Sequence, residues 1–391
     1  MSELSYLEKL MDGVEVEWKA VGDIAGYSTT KVDADKLDAT SFVGVDNLLA
    51  DKGGRIDATY QPNTARLTAY EPGDILLGNI RPYLKKVWMA ENNGGCSGDV
   101  LAIRILADCK KIISPEYLYY ALSSDSFFSY SMQHAKGAKM PRGSKDAILN
   151  YQIPIPCPSA PEKSLAIQSE IVRILDKFTA LTAELTAELN MRKKQYNYYR
   201  DQLLSFKEGE VEWKTLGEVA QFKRGTAITQ KQTTPGEIPV VANGPIPTYF
   251  HSESNRQGET IVIARSGAYA GYVSFWNQPI FLTDAFSVHS DLKIVKPKFI
   301  YHVLQNKQEH IHAMKKGAGV PHVRVKEFET YDIPIPPITE QERIVSILDK
   351  FDTLTNSITE GLPREIELRQ KQYEYYRDLL FSFPKPETLS N

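Results

Sequence analysis

The feature that most constrains this chain is an internal repeat, because two copies of one unit are expected to fold in the same way. Four pairs of segments carry the repeat: VEVEWK at 14–19 and GEVEWK at 209–214, YQIPIP at 151–156 and YDIPIP at 331–336, IVRILDKF at 171–178 and IVSILDKF at 344–351, and KQYNYYRDQLL at 194–204 and KQYEYYRDLLF at 371–381. Between these segments the two copies differ freely, although Arg81 aligns with Arg265 and Asp99 with Asp284. A shared framework therefore carries two variable parts.

Each copy is predicted to be a globular lobe followed by a long helix. The IPIP segments close the lobes, because proline cannot continue a helix. Apolar runs such as 75–77 and 260–264 predict buried strands, and the segments that start at Pro115 and Pro297 predict short helices. The predicted fold class is α+β. The predicted boundaries are 1–158 for the first lobe with a short N-terminal helix, 159–208 for the first long helix, 209–336 for the second lobe, and 337–391 for the second long helix and the C-terminal tail.

The two long helical segments carry apolar side chains in alternating steps of three and four residues, which is a heptad-like seam. In the second segment the seam is interrupted by Gly-Leu-Pro at 361–363, which predicts a kink or a break. A helix of about 45 residues is roughly 65 Å long, which is more than a lobe of about 140 residues can bury alone. We therefore expect two coiled-coil-like helices that pack antiparallel on each other and separate two pseudo-twofold-related lobes in a circular arrangement.

Composition and charge exclude several classes of protein. No apolar run approaches the roughly 18 residues of a membrane helix, and residues 1–11 carry Glu3, Glu8 and Lys9 where a signal peptide would be apolar. We therefore expect a cytoplasmic protein with no membrane partner. The three cysteines are far apart and form no CxxC pair, which argues against disulfides and a cysteine zinc site. Because the formal net charge is −3, any DNA-binding surface must be local.

The sequence contains no convincing catalytic or metal site. The stretch 137–145 lacks the spacing of a phosphate-binding Walker A loop, and 317–319 lacks the third glycine of a dinucleotide-binding turn. No [Asn/Asp]-Pro-Pro-aromatic loop of an amino-methyltransferase is present. His302, His310 and His312 do not form the HExxH pattern of a metalloprotease. We therefore expect neither catalysis nor metal binding from this chain.

Each lobe collects positive and planar side chains around glycine-rich turns. Arginine recognises guanine in the major groove, asparagine recognises adenine, and lysine neutralises phosphate, so this mixture suits DNA recognition. A solvated charged surface without a ligand is the alternative interpretation. Two variable lobes on one framework favour two readers of different short sequences, and the recurring Asp99 and Asp284 are predicted to be turn or cap residues. The candidate DNA-contacting residues are Asn79, Arg81, Tyr83, Lys85, Lys86, Lys136, Lys139, Arg142 and Lys145 in the first lobe, and Asn243, Tyr249, Arg265, Tyr269, Lys315, Lys316, His322, Arg324 and Lys326 in the second.

The segment 162–213, together with the plan of two lobes and two helices, resembles the specificity subunit of type I restriction–modification enzymes. The doublet of Thr-Ala-Glu-Leu at 182–189 resembles the type IC branch of that family. The resemblance implies that each lobe is a target recognition domain for half of a split site in double-stranded DNA. It also implies that the helices dock two modification (methyltransferase) subunits, and that restriction (ATPase/nuclease) subunits join the complex. This chain would then be non-catalytic, and AdoMet, ATP and Mg²⁺ are expected in the partner subunits rather than here.

The doublet also has a geometric interpretation. Four residues lengthen a helix by about 6 Å and rotate its downstream part by about 40°, and one base pair rotates DNA by roughly 35°. The resemblance implies that the number of copies sets the gap between half-sites, so that the doublet acts as a ruler. The alternative is that the segment is a good helix former with a seam leucine. The ruler residues are Thr182, Ala183, Glu184, Leu185, Thr186, Ala187, Glu188 and Leu189.

Two other functions stay open from the sequence. One is a stand-alone coiled-coil scaffold without nucleic acid, which would leave the two variable lobes without a role. The other is a single-chain DNA methyltransferase or nuclease, which the missing AdoMet, ATP and nuclease motifs disfavour. DNA recognition within a larger complex is therefore the predicted function.

Overall fold

The structure is a computed structural model that describes residues 13–207, 209–315 and 321–383. The predicted N-terminal helix and C-terminal tail lie outside the described residues. The helices are α1 (Val21–Ile24), α2 (Pro115–Leu122), α3 (Asp125–Gln133), α4 (Lys145–Asn150), α5 (Pro161–Leu203), α6 (Leu216–Val219), α7 (Pro297–Asn306), α8 (Gln308–Ala313), α9 (Val325–Glu329), α10 (Ile338–Asn356) and α11 (Gly361–Leu380). The strands are β1 (Val16–Ala20), β2 (Ala25–Tyr27), β3 (Lys31–Asp33), β4 (Phe42–Val43), β5 (Arg66–Tyr70), β6 (Ile75–Gly78), β7 (Val87–Met89), β8 (Gly94–Cys96), β9 (Val100–Ile105), β10 (Gln152–Pro156), β11 (Glu212–Thr215), β12 (Ala220–Arg224), β13 (Ile238–Val241), β14 (Tyr249–His251), β15 (Glu259–Ala264), β16 (Val273–Asn277), β17 (Phe281–Leu282), β18 (Ala285–Ser290) and β19 (Asp332–Ile335). The predicted α+β class is confirmed.

The chain divides into two compact units, Met1–Glu184 with Glu367–Asn391, and Leu185–Ile366. The division passes through α5 and through α11. Each unit therefore holds one lobe and parts of the long helices. We call residues 13–156 the first lobe and residues 209–335 the second lobe.

The first lobe contains three sheets. Strands β1 and β10 form an antiparallel ladder in which Trp18 pairs with Pro154. A four-stranded antiparallel sheet has the order β2-β9-β6-β7, and Ile103 of β9 pairs with both Tyr27 and Ile75. A third sheet has the order β3-β5-β8-β4, and its β4–β8 pair is parallel. The repeated VEVEWK and IPIP segments thus pair with each other and close the lobe.

The second lobe repeats this plan. Strands β11 and β19 form the antiparallel ladder, and the four-stranded sheet has the order β12-β18-β15-β16. Its central residue Val288 pairs with both Phe222 and Ile261, as Ile103 pairs with two residues in the first lobe. The remaining sheet has the order β14-β13-β17 and again contains a parallel pair, β13–β17. The four-stranded sheets of the two copies therefore share strand order and register, while the third sheet has four strands in the first lobe and three in the second.

Each lobe packs its four-stranded sheet against its short helices and against parts of both long helical segments. In the first lobe this core includes Ile75, Ile103, Tyr117, Phe127 and Ile171, all almost fully buried. In the second lobe it includes Ile261, Phe286, Phe299, Phe328 and Ile344. Because isoleucines of the repeated helical segments enter both cores, each long helix is anchored in a lobe.

The strand register corrects one sequence alignment. The backbone N–H of Gly143 donates to the carbonyl of Asn79 (3.0 Å), and the backbone N–H of Val323 donates in the same way to Arg265 (3.0 Å). Arg265 therefore occupies the position of Asn79, and its alignment with Arg81 is wrong by two residues. The two turns are equally long, but the first carries its arginine two residues later than the second, so matching arginine to arginine misaligned them.

The two long helical segments differ in continuity. Helix α5 runs unbroken for 43 residues. The second segment is broken between α10 and α11, which confirms the predicted interruption. Gly361 has φ of 78°, and a Cβ there would lie 2.3 Å from the carbonyl oxygen of Thr353. Only glycine fits this turn, because other residues would meet both backbone strain and a clash.

Aromatic side chains hold the long helices together inside each unit. In the first unit, Phe178 of α5 stacks on Tyr376 of α11, with ring centroids 5.3 Å apart. In the second unit, Phe351 of α10 stacks on Tyr199 of α5 at 5.7 Å. Both contacts join the phenylalanine of the ILDKF segment to the last tyrosine of the KQYxYYRD segment. Each unit therefore pairs one part of α5 with one part of the second long helical segment through the same two repeated motifs.

Candidate nucleic-acid interface

The first group of candidates lies where the turn between β6 and β7 meets the loop before α4. The backbone N–H of Arg81 donates to the carbonyl of Pro141 (2.7 Å). Lys136 and Arg142 exchange two backbone hydrogen bonds of 2.9 Å. The structure therefore brings together candidates from two segments that are far apart in the sequence.

Asp99 and Asn79 lie within this group. Nη2 of Arg142 donates to Oδ1 of Asp99 (3.0 Å), and the two side chains are 61% and 39% exposed. Asn79 is buried, and its Oδ1 has no hydrogen-bond partner in the described part of the chain. An unsatisfied buried acceptor costs about 1–3 kcal/mol. This oxygen is not exposed, whereas the guanidinium of Arg142 is accessible.

Lys85 and Lys86 are engaged inside the first lobe. Nζ of Lys85 donates to Oδ1 of Asp125 (2.8 Å) in a cluster that includes other cations. Nζ of Lys86 donates to the backbone carbonyl of Val45 (2.7 Å). Both lysines therefore have partners within the lobe that compete with a DNA phosphate. The sequence did not predict these partners.

Lys145 is also partly engaged. Its ammonium lies 5.8 Å from the centroid of the Tyr27 ring, and the Tyr27 hydroxyl donates to the Lys145 carbonyl (2.8 Å). Burial raises the pKa of Tyr27 well above its usual value, with a contribution from Asp146, so this hydroxyl stays a donor. Four other first-lobe candidates are exposed and form no ion pair within the described residues: Arg81, Tyr83, Lys136 and Lys139.

The second lobe builds its candidate group on the same backbone. The N–H of Gly267 donates to the carbonyl of Pro321 (2.9 Å), as Arg81 does to Pro141. Nζ of Lys315 donates to the carbonyl of Ala268 (2.9 Å), which joins a second candidate to this turn. Lys316 and the Gly-Ala pair that follows it lie outside the described residues. The turn-to-loop junction is thus common to both lobes.

Asp284 is the centre of the second group. Nε and Nη2 of Arg265 each lie 3.1 Å from Oδ1 of Asp284. Oδ2 accepts from Ser266 Oγ (2.7 Å) and from Asn243 Nδ2 (2.5 Å). Burial alone would raise the pKa of Asp284, but these hydrogen bonds and the charge of Arg265 hold the pKa below its usual value. Asp284 lies in a turn, as predicted, and it also fixes an arginine.

A cationic groove surrounds Arg265. Two adjoining clefts meet at Arg224 and Arg265, which line both of them, and Asp284 is the one acid among the described residues that line either cleft. We call this surface the second-lobe groove. Its positive or titratable side chains are Arg224, Arg265, His322, Arg324 and Lys326.

Sequence reasoning missed Arg224, which ends strand β12. The available signal was local: Lys-Arg-Gly at 223–225 places a positive side chain at a strand end, directly before a turn. The two tyrosine candidates differ from each other. The hydroxyl of Tyr249 donates to the carbonyl of Ile228 (2.8 Å), whereas Tyr269 is 51% exposed. Tyr269 is therefore the more accessible ring.

The chain matches the family described as type I restriction modification DNA specificity domain over residues 72–192 and 208–368. The chain belongs to this family. The matched ranges cover most of both lobes and of the long helices, so the family resemblance drawn from the sequence is confirmed.

Individual relatives agree over the whole chain. The chain is 44% identical to the EcoR124I/EcoR124II specificity subunit of Escherichia coli over 100% of both chains. It is 36% identical to the EcoprrI specificity subunit of Escherichia coli over 92% of this chain and 93% of the relative. The solved structure of the type I restriction–modification S subunit from M. genitalium matches with a TM-score of 0.62 at 16% identity, over 96% of this chain and 98% of that one. This last similarity shows a shared fold.

As a specificity subunit, the chain is the non-catalytic recognition component of a type I restriction–modification system. Among the described residues, no group of His, Cys, Asp and Glu side chains could hold a metal ion. Over the same residues, no helix is long and apolar enough to cross a membrane.

The specificity subunit attaches its long helices to both lobes through equivalent buried glutamines. Gln168 accepts a hydrogen bond from the backbone N–H of Ser114 (3.0 Å) and donates to the carbonyl of Ile112 (2.7 Å). Gln341 accepts from the backbone N–H of Lys296 (2.9 Å) and donates to the carbonyls of Ile294 (3.0 Å) and Pro336 (2.8 Å). Both glutamines have 0% exposure. Sequence reasoning missed them, although a glutamine precedes each repeated Ile-Val pair by three residues.

A second equivalent link uses the aspartates of the two ILDKF segments. The hydroxyl of Tyr120 donates to Oδ1 of Asp176 (2.5 Å). Nε2 of His302 lies 2.8 Å from Oδ1 of Asp349. Burial alone would raise the pKa of Asp349, but His302 and Lys298 hold it below its usual value. His302, which the sequence left without a role, is therefore part of the framework.

The third link uses the arginines of the two KQYxYYRD segments, and here the lobes differ. Nη2 of Arg377 lies 3.2 Å from Oδ2 of Asp125, and Arg377 is fully buried. The equivalent Arg200 donates through Nε to the neutral side chain of Asn306 (2.9 Å). Arg377 binds a residue just beyond the end of α2, and Arg200 binds the last residue of α7.

The proposed ruler lies inside helix α5. Leu185 and Leu189 are half-buried, and Oγ1 of Thr182 donates to the carbonyl of Phe178 (2.9 Å). Glu188 pairs with Arg192 one turn on, with Nε 2.7 Å from Oε1. The division between the two compact units falls within the doublet, between residues 184 and 185. The doublet is therefore regular helix, and its role as a ruler stays a prediction.

Proposed function

We propose that this specificity subunit directs a type I restriction–modification complex to a bipartite site in double-stranded DNA, each lobe recognising one half. The observation that carries the proposal is the turn-to-loop junction common to both lobes, around Arg81 and Pro141 in the first and around Gly267 and Pro321 in the second, which we call the rim. Both lobes join the same turn to the same loop through equivalent backbone hydrogen bonds, yet Asn79 stands in one lobe where Arg265 stands in the other. One backbone that displays different base-reading side chains is what two readers of two sequences require.

The candidate residues divide the work of recognition. Arg265 in the second lobe and Arg142 in the first have exposed hydrogen-bonding groups for base edges, and the exposed lysines neutralise phosphates. The net charge of −3 limits how much phosphate binding this chain supplies alone. We therefore expect weak binding by the isolated chain and tight binding by the complex.

The partners supply the activities that this chain lacks. We expect two modification subunits to dock along the paired helices α5, α10 and α11, and restriction subunits to join through the complex. AdoMet, ATP and Mg²⁺ would bind those subunits, which perform methylation, translocation and cleavage. Such a complex acts on DNA in the cytoplasm. The continuous helix α5 supports the proposal that the helices set the gap between half-sites.

An electrophoretic mobility shift with randomised bipartite DNA tests the proposal. The isolated chain should give a weak shift, and the chain with its modification subunits should give a strong and sequence-selective shift at physiological salt. Tight, selective binding by the isolated chain would contradict the division of labour between subunits. A stand-alone scaffold would give no shift in either sample, and a single-chain methyltransferase would transfer methyl groups without partners.

A further inference from the structure

We infer that the second lobe recognises a guanine with Arg265, and that Asp284 is the positioning residue that holds the arginine for it. The inference rests on the proposed function. It adds the base that is recognised, the residue that contacts this base and the residue that positions the contact. The ligand is the O6 and N7 edge of guanine in the major groove, which takes two parallel N–H donors from one guanidinium.

The guanidinium of Arg265 is divided between two tasks. Its Nε and Nη2 atoms lie 3.1 Å from Asp284. A guanidinium has five N–H donors, so Nη1 and the outer N–H of Nη2 stay free for a second planar partner. The side chain is 49% exposed, which leaves this outer edge accessible. The geometry is therefore that of an arginine held on one side and open on the other.

Asp284 is itself fixed, so it can fix Arg265. Its other oxygen accepts from Ser266 and Asn243, at 2.7 Å and 2.5 Å. Both donors belong to the second lobe and anchor the carboxylate from two directions. A side chain that is already ordered loses less conformational entropy on binding, and an ordered fork discriminates bases more sharply.

The surroundings favour an anionic, planar ligand. Arg224, Arg324 and Lys326 line the same groove as Arg265, and these three side chains form no ion pair within the described part of the lobe. The only described acid in the groove is Asp284, which Arg265 already neutralises. DNA combines the required features, because its phosphates match the cations and its guanines match the free edge of Arg265.

The first lobe supplies an internal contrast. Asn79 occupies the position of Arg265 there, and Asp99 pairs with Arg142 from the neighbouring loop instead. The inference therefore applies to one half-site only. A variant at Arg265 should leave the half-site of the first lobe unchanged.

The test uses the full complex with its modification subunits and a library of DNA sites in which both half-sites are randomised. Methylated molecules are sequenced for the wild type, Arg265→Lys, Asp284→Asn and the control Lys293→Gln, an exposed cation of the second lobe outside the groove. Arg265→Lys keeps the charge and loses the fork, so preference for guanine at one position of one half-site should fall about tenfold or more. Lys293→Gln should match the wild type.

The role of Asp284 is separated from a structural role by a double variant. Asp284→Asn alone should relax the same position, and Asp284→Asn added to Arg265→Lys should relax it little further, because the second residue acts through the first. Retained preference of the first lobe in each variant shows that the complex is folded, and Arg265→Gln serves as a second variant at the same position. Unchanged preference at every position in Arg265→Lys would overturn the inference. A wild-type complex without any sequence preference would overturn the proposed function as well, so the two failures are distinguishable.

Discussion

The first and second lobes hold different side chains on one backbone plan. At the rim, the recurring aspartate binds Arg142 in the first lobe and Arg265 in the second. In the interior, Gln168 and Gln341 make equivalent hydrogen bonds to the backbone of their lobes. The buried glutamines thus keep the same hydrogen bonds in both lobes, whereas the partner of the aspartate at the rim differs. This separation lets a specificity subunit change what it recognises without changing how it folds.

The largest effect is expected at the equivalent interior residues. Replacing Gln341 by alanine leaves the buried N–H of Lys296 and the carbonyl of Ile294 unpaired, at about 1–3 kcal/mol each. We expect the free energy of unfolding to fall by about 3 kcal/mol. Gln168→Ala should cause the same loss, because its hydrogen bonds are equivalent. Denaturant unfolding followed by circular dichroism measures both.

Glu342→Ala is the control for this comparison. Its carboxylate forms a half-exposed ion pair with Lys296, so its loss should cost less than about 0.5 kcal/mol. Similar losses in the free energy of unfolding for Gln168→Ala and Gln341→Ala would support the equivalence of the two lobes. A loss at only one of the two positions would break it.

The next effect concerns the rim. Arg224→Gln removes a groove cation that has no ion-pair partner in the described part of the lobe, so DNA affinity of the complex should fall about fivefold. The slope of log affinity against log salt should decrease by about one. In the first lobe, Thr29 stands two residues after the paired aromatic of β2, as Arg224 does in β12. Thr29→Ala should leave affinity unchanged, and equal effects at both positions would show that the two rims are not electrostatically different.

A smaller effect is expected in the pH dependence of stability, which should differ between the Arg377–Asp125 link and the Arg200–Asn306 link. Burial alone would raise the pKa of Asp125, but its hydrogen bonds with Lys85 and Lys52 and the charge of Arg377 hold the pKa well below its usual range. Its contribution to stability is therefore complete above the ordinary carboxyl pKa of about 4 and is lost as pH falls through the folded value. The link between Arg200 and Asn306 contains no carboxylate.

Asp125→Asn should accordingly flatten the acid side of the stability curve, measured as unfolding midpoints between about pH 2 and pH 5. The matched variant Asn306→Ala should lower stability by the same amount at every pH. An unchanged acid slope in Asp125→Asn would mean that this carboxylate contributes no pH-dependent stability.

The smallest change in stability is expected from lengthening the ruler. A third Thr-Ala-Glu-Leu inserted after Leu189 keeps the seam leucine and high helix propensity, so the fold should survive. It adds about 6 Å and 40° to α5, and one base pair rotates DNA by roughly 35°. The preferred gap should grow by one base pair while both half-sites stay the same, which sequencing of methylated genomic sites measures. An unchanged gap would place the doublet outside the segment that sets the spacing.

The sequence predicted the framework well, because repetition exposes it. The long helices and the closure by IPIP segments are local patterns that occur twice, and the break at Gly361 is visible as Gly-Leu-Pro in the second copy. The buried glutamines were within reach of the same comparison. They were missed because a single glutamine in a helix looks like a solvated residue until its partners, such as Ser114, are known.

The rim was harder to predict, because its partners lie far apart in the sequence. In the sequence Lys85 and Lys86 look like free cations. In the structure Lys85 pairs with Asp125, and Lys86 donates a hydrogen bond to the carbonyl of Val45. The alignment of Arg81 with Arg265 failed because an arginine occurs in both turns, but two residues later in the first turn than in the second. Only the strand register shows that Asn79 and Arg265 are equivalent. Side-chain identity alone does not fix position in a variable loop.

Exchange of one lobe tests most directly the claim that the two lobes are independent readers on one framework. Residues 20–150 are replaced by the corresponding lobe of a relative, and the methylated sites of cells that carry the exchanged subunit are sequenced. One half-site should change completely, while the other half-site and the gap stay as they are. If both half-sites changed, or if a folded complex lost all recognition, the lobes would not be separate readers.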